Sequence, residues 1–243
     1  MSARCISPPT LIRYFHHGNI IKYCHRPFLS DHDKTELSKI GAWHDGIWKG
    51  KNASRWRISN EAIEIMNDNL LLEINNTVGE NDTLWHLGDF SMAPKSNDQL
   101  NGYYYRCKRI REKIKCKNVN IIWGNHDNYC IRDLFNISDN LLTINIHGQR
   151  LVLCHYALAI WDKSHRGAMN LYGHSHSEAE VWLSRMMKGR KSMDVGVDNA
   201  SKILGAYRPF SLEEIESLIG SKPGFAFDHH VSDMMNTPEE HEV

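Results

Sequence analysis

Three short runs of this chain carry side chains suited to holding metal ions: Gly88-Asp89, Gly124-Asn125-His126-Asp127 and Gly173-His174-Ser175-His176, with His155 between the last two. Asp89 supplies a carboxylate able to bridge two cations. Asn125, His155, His174 and His176 supply an amide oxygen and neutral imidazoles, which complete a ligand shell without adding negative charge. Such a shell suits an anionic substrate, and phosphate esters fit the chemistry. Two divalent ions roughly 3.5 to 4 Å apart can activate a water for in-line attack and stabilise both the attacking and the leaving oxygen. Taken singly, Asn125 or either histidine of the last run reads as an ordinary turn residue; the ordered set points to metal binding.

Each run follows a short apolar stretch of strand type. Asp82 to Leu87 ends at Gly88, Val119 to Trp123 ends at Gly124, Leu151 to Cys154 delivers His155, and Asn170 to Tyr172 delivers the Gly-His-Ser-His turn. Glycine allows the sharp turn that faces the next side chain toward an ion. Ligands at the carboxyl ends of strands are where open α/β folds place their sites.

Helical patterns alternate with these strands. Ile63, Met66, Leu70 and Ile74 recur at helical spacing behind Ser59, a cap, with Glu61 and Glu64 in the first turn. A second helix is expected over about 97–116; its Arg106, Lys108, Arg109, Arg111, Lys113 and Lys115 read as a solvated face rather than a polyanion guide. Ser211-Leu212-Glu213-Glu214 has the form of a capping box that opens a short helix through Ile219. Residues 28–59, with Trp43, Trp48 and Trp56, read as an insertion of loops and one short helix.

The order Gly-Asp, Gly-Asn-His-Asp, His, Gly-His-x-His resembles the calcineurin-like metallophosphoesterases, and the resemblance runs from about Phe15 to about Ile219. The phrases His17 to Phe28, His155-Tyr156-Ala157, Val195-Gly196-Val197-Asp198 and Tyr207-Arg208-Pro209 are similar to small bacterial and phage members. The resemblance implies an α/β fold, a four-layer α/β/β/α sandwich of two mixed sheets. It implies Asp89 as the bridging carboxylate, Asn125, His155 and His174 on one ion, and His176 on the other. His126 would face the phosphoryl group and Asp127 would orient His126. The cofactors implied are two divalent ions, from among manganese, iron, zinc, cobalt and nickel, and the substrate a phosphate-ester small molecule or a nucleotide.

One departure stands against these matches. The family opens with Asp-x-His on its first strand, and counting back from His17 those positions hold Ile12 and Tyr14. Isoleucine has no donor atom, and a free phenol ionises only near pH 10. Three explanations stay open. The chain is a true one-ion variant, or it recruits His16, His17, Asp31 or Asp33, or its first residues derive from a shifted reading frame. For the last, Ile6 to Ile12 is what a one-nucleotide shift yields from one codon choice for Tyr-Phe-Thr-Ser-Asp-Thr-His. Residues 1–14 are accordingly set apart as an atypical N-terminus, 15–220 form the catalytic domain, and 221–243 read as a mobile tail.

Composition agrees with one α/β domain. The chain has 243 residues, enough to bury a sizeable core. Its 29 basic and 29 acidic residues cancel, so no global field favours nucleic acid or an anionic membrane. No apolar run approaches a membrane span and Met1 to Thr10 lacks a signal-peptide core, so a cytoplasmic location is the default expectation. The six cysteines, at 5, 24, 107, 116, 130 and 154, include no Cys-x-x-Cys pair, and Cys154 alone sits beside a predicted ligand. The function expected is hydrolysis of a phosphodiester or phosphomonoester. The alternative is a one-metal homologue that binds phosphate-bearing ligands with little turnover; a nuclease is less favoured because the charge is balanced. Oligomeric state leaves no readable trace.

Overall fold

Strands that are covered on both faces carry continuous apolar runs, and the strands leading to the candidate ligands are of that kind. The computed structural model describes residues 10–12, 15, 18–49 and 56–224. The reading-frame question and the positions of Tyr14, His16 and His17 lie outside the described residues, as does the expected tail beyond residue 224.

In chain order the elements are β1 (Thr10–Ile12), α1 (Gly18–Tyr23), α2 (Asp31–Lys39), β2 (Trp43–His44), β3 (Ile47–Trp48), α3 (Asn60–Thr77), β4 (Thr83–His86), α4 (Leu100–Lys113) and β5 (Asn118–Ile122). There follow β6 (Ser138–Asp139), β7 (Leu141–Ile146), β8 (Gln149–Cys154), β9 (Met169–Tyr172), α5 (Glu180–Met186), β10 (Ser192–Asp194), α6 (Val197–Leu204) and α7 (Leu212–Ile215). The chain is thus mixed α/β.

One four-stranded sheet has the order β1-β4-β5-β6 and a second the order β10-β9-β8-β7. Both sheets were expected to be mixed. Among the described residues the first is parallel throughout, and the second is mixed because β7 runs antiparallel to β8. The reason is local: His147-Gly148 closes a tight hairpin between β7 and β8, both residues at positive φ, whereas the other neighbours are joined by crossovers. Ile12 stands opposite His86, so the backbone of a first strand is in place although its residues depart from the family pattern.

Side-chain alternation divides the core in two. Leu84, Val119 and Ile121 join a cluster with Met66, Leu70 and Ile74 of α3 and Tyr103, Cys107 and Ile110 of α4. Trp85 and Ile122, from the same strands, join Leu151, Leu153, Met169, Leu171 and Met193 of the second sheet together with Phe210, Leu212 and Ile215. The first sheet therefore has helices on one face and residues of the second sheet on the other. Among the described residues no helix is long and apolar enough to cross a membrane.

The helix ends follow the sequence signals. Ser59 caps α3 by accepting from the Ala62 N–H, and Ser211 with Glu214 forms a reciprocal capping box at α7. The segment expected as loops with one short helix holds more order: α2 spans nine residues and β2–β3 form a hairpin in which Trp43 and Trp48 meet edge to face. The tryptophans are anchors. Trp48 Nε1 donates to the Arg26 carbonyl, and Trp56 Nε1 donates to Asp33 Oδ1.

Asp33 ties this segment down. Its buried carboxylate accepts from Trp56 Nε1 at 2.8 Å, from Ser59 Oγ at 2.5 Å and N at 3.2 Å, and from Ser30 Oγ at 2.7 Å, so it links the caps of α2 and α3. Burial would raise its pKa, but these hydrogen bonds hold it below the usual carboxylate range. Asp33→Ala strands several buried donors and loosens both caps. We expect a loss of about 3 kcal/mol in urea denaturation. Asp31→Ala, at an exposed side chain beside Lys34, should leave the midpoint nearly unchanged.

Candidate metal centre

The carboxyl ends of β4, β5, β8 and β9 bring Asp89, Asn125, His155 and His174 together. The approach of the first two loops is possible because neither Gly88 nor Gly124 has a side chain. A Cβ on Gly124 would overlap Asp89 Oδ1 and its backbone nitrogen and lie 2.6 Å from His155 Cε1; a Cβ on Gly88 would lie 2.7 Å from the Gly124 nitrogen. Gly88 has φ +93° and Asp89 itself has φ 55°, a left-handed conformation that aspartate tolerates better than most residues.

Two carboxylates stitch these loops reciprocally. Asp127 Oδ2 accepts from the N–H of Asp89 at 2.6 Å and of Gly124 at 2.9 Å, while Oδ1 accepts from Phe90 N–H at 2.6 Å. In return Asp89 Oδ1 accepts from His126 N–H at 2.6 Å. Burial, with the charge of Asp89 beside it, pushes the Asp127 carboxyl up to about 7 against the pull of the three backbone donors. Sequence reasoning gave Asp127 the task of orienting His126. The structure commits both its oxygens to main-chain N–H groups, and it is the His126 backbone that is held, through its N–H on Asp89 and its carbonyl, which accepts from Ala93 N–H at 2.8 Å.

The decisive geometry is at His155. Its Nδ1 lies 2.8 Å from the Leu87 carbonyl oxygen, which can only accept, so Nδ1 carries a proton and Nε2 of the neutral ring is a lone pair. That nitrogen lies 2.9 Å from Asn125 Oδ1, 3.2 Å from Asp89 Oδ2 and 3.1 Å from His174 Nδ1. His174 is brought in by its own N–H, which donates to the His155 carbonyl at 2.9 Å. The His174 ring and the oxygens of Asn125 and Asp89 thus converge on one ring nitrogen. Together they offer oxygen and imidazole donor atoms to a cation at their centre. The residues present therefore fit a metal ion: the ligand atoms of Asp89, His155 and His174 lie within 4.8 Å of one another. A metal-binding histidine also typically donates its other ring nitrogen to a carbonyl, as here.

Asp89 and His155 are buried, whereas Asn125 and His174 reach solvent, so the group has a rigid floor and an open rim. Tyr156 packs its ring against both histidines. Beside the rim lies a cavity of about 190 Å³ lined by Trp123, Asn125, Tyr129, Asn140 and Tyr156.

His176 belongs to a second group, with Cys24 and Asp198, whose ligand atoms also lie within 4.8 Å of one another. Its Nδ1 is 2.6 Å from Asp198 Oδ2, and the wholly buried Arg26 grips the same carboxylate through Nε at 2.7 Å and a terminal nitrogen at 2.8 Å. Burial alone would raise the pKa of Asp198, but the Arg26 charge and these hydrogen bonds hold it well below the usual carboxylate range. Burial and the adjacent Asp198 push the Cys24 thiol up to about 12. Removing either member of a buried ion pair like this one typically costs about 3 to 5 kcal/mol.

Cys24, Arg26 and Asp198 stand in phrases that carry the resemblance, His17 to Phe28 and Val195-Gly196-Val197-Asp198, but sequence reasoning assigns them no site role. The expectation that Cys154 alone sits beside a ligand is corrected: Cys24 adjoins His176. Of the proposed substitutes, Asp33 is committed to the helix caps and Asp31 is exposed beside Lys34.

No family model matches this chain. It is 26% identical over 208 residues to the uncharacterized protein MJ1445 of Methanocaldococcus jannaschii, a match covering 85% of this chain and 86% of that protein. Among solved structures it is similar to the protein of unknown function AQ665 from Aquifex aeolicus, with a TM-score of 0.53 and 19% identity over 87% of this chain and 99% of the other. That likeness is one of fold. Fold and site together define an α/β protein with carboxylate and imidazole groups able to hold a metal ion.

The close approach at Gly124 is directly testable. Gly124→Ala should destabilise by about 1 to 3 kcal/mol, as overpacking does, and lower the metal bound per chain. Gly102→Ala, in α4 with nothing within 4 Å of its Cβ, should instead stabilise by up to about 1 kcal/mol. Chemical denaturation and elemental analysis of the two variants check both.

Proposed function

We propose that this chain is a metal-dependent hydrolase of phosphate esters, built as the four-layer α/β/β/α sandwich of the calcineurin-like metallophosphoesterases. The observation that carries the reading is the His155 lone pair, locked by the Leu87 carbonyl and aimed at Asp89, Asn125 and His174. Those four residues would hold the ion. Bound there, a divalent metal supplies a Lewis acid for the phosphoryl oxygens and lowers the pKa of water. The protein's own part is orientation. Asp127 fixes the Asp89 loop and Asp89 fixes the His126 main chain; in this reading the His126 ring is the group that would assist the leaving oxygen. The open rim of Asn125 and His174 admits substrate, and the cavity beside Tyr156 offers room for the group esterified to the phosphate.

A second reading, a one-metal homologue that binds phosphate-bearing ligands with little turnover, is favoured by one observation. Ile12 stands at the carboxyl end of β1, where the resemblance places an aspartate, and Asp33 is already occupied elsewhere. The two readings separate in one experiment. Metal content is measured per chain while an aryl phosphodiester and an aryl phosphomonoester are assayed with manganese. Hydrolysis that drops at least about 100-fold in Asp89→Ala supports the hydrolase, since the ion supplies several kcal/mol of transition-state stabilisation. Metal binding without Asp89-dependent hydrolysis supports the second reading, and a chain that takes up no metal sinks both. The double variant Ile12→Asp, Tyr14→His should raise hydrolysis sharply in the first case and little in the second.

A further inference from the structure

Asp198 is a carboxylate with both oxygens engaged. Ionised, it offers about four lone-pair sites. Arg26 occupies two of them, with Nε on Oδ1 and a terminal nitrogen on Oδ2. His176 Nδ1 takes a third, on Oδ2, and the Cys24 thiol lies close by. A metal ion bound through Asp198 would compete with the guanidinium of Arg26, which is wholly buried. The cluster is therefore better understood through what it does to one ring. A carboxylate that already bears a guanidinium stays ionised and can only accept, so the proton between it and His176 belongs to Nδ1. The ring is held besides by its backbone. His176 and Ser177 both lie at positive φ, and Asp194 Oδ2 accepts from Ser175 Oγ at 3.0 Å and Ser177 N–H at 2.9 Å on either side.

We propose that Asp198, clamped by Arg26, is a positioning residue that fixes His176 as the Nδ1–H tautomer and so presents Nε2 as a lone-pair donor. The pair acts through His176 and need not touch substrate. Use of that lone pair for a second divalent ion rests on the phosphoesterase reading; the tautomer does not. The device parallels His155, whose Nδ1–H is fixed by a backbone carbonyl, but here the acceptor is a charged side chain brought from 22 residues further along the chain.

The test is the two-bond proton–nitrogen spectrum of metal-free, nitrogen-15 histidine-labelled full-length protein at about pH 9, above the ordinary imidazole range. The His176 signals are assigned by their loss in His176→Gln. The expected pattern is a protonated Nδ1 and an unprotonated Nε2. In Asp198→Asn the Arg26 donors retain the one remaining oxygen, the amide NH₂ faces the ring, and His176 should pass from almost wholly Nδ1–H to mainly Nε2–H. A wild-type ring protonated at Nε2, or a spectrum unchanged in Asp198→Asn, overturns the proposal. Should that variant not fold, the wild-type spectrum still decides, because the proposal forbids an Nε2–H ring there. Absence of hydrolysis in the assay above would leave this result untouched, and a reversed tautomer would leave the Asp89 centre untouched.

Discussion

Three backbone N–H groups from two loops end on the carboxylate of Asp127, and the loops can come that close because residues 88 and 124 lack side chains. Everything at the centre follows from that contact. It sets Asp89 in its left-handed conformation, turns the Asp89 carboxylate toward His155, and places the His126 backbone on the other oxygen of Asp89. A half-buried carboxylate without donors would be costly; surrounded by main-chain N–H groups it becomes the part that organises two loops.

The fold serves this contact by ending its strands in register. Leu84, Trp85 and His86 of β4 lie opposite Val119, Asn120 and Ile121 of β5, so the turns after them emerge side by side. The second sheet repeats the arrangement with β8 and β9, and the shared apolar cluster around Trp85, Ile122, Leu153 and Leu171 brings the two sets of turns into reach of each other. Burial on both faces makes the strands stiff, and stiffness at the ends of strands gives a ligand set its small tolerance in distance.

Much of this was legible in the sequence because glycine and strand patterns are local signals. The strands before Gly88, Gly124, His155 and Gly173, the Ser59 cap and the Ser211 capping box all stand where residue types placed them, within two residues. What was not legible depends on contacts far apart in the chain. Asp127 was assigned to its sequence neighbour His126, whereas its partners lie 37 and 38 residues back, at Phe90 and Asp89, as well as at Gly124. The Arg26–Asp198 pair joins two phrases quoted for the resemblance, but nothing local in either shows that they meet. Within residues 28–59 one short helix was expected and α2 is present there, whereas the β2–β3 hairpin was missed, because two-residue strands carry too little periodicity to separate from a loop.

The separation along the chain of the contacts around the two histidines has a consequence for how the protein comes to exist. The Asp89 and Asp127 loops close over 38 residues, His155 meets the Leu87 carbonyl over 68, and Arg26 meets Asp198 over 172. Closing a longer loop costs more entropy before any contact rewards it, so the elements that hold His155 can assemble well before the clamp on His176. During synthesis Arg26 is made early and must wait, as a cation destined for burial, until α6 has been added. The first half of the chain is therefore bound to the last by charge, and a nascent polypeptide stopped short of Asp198 holds the floor of the candidate metal site but not the second histidine's support.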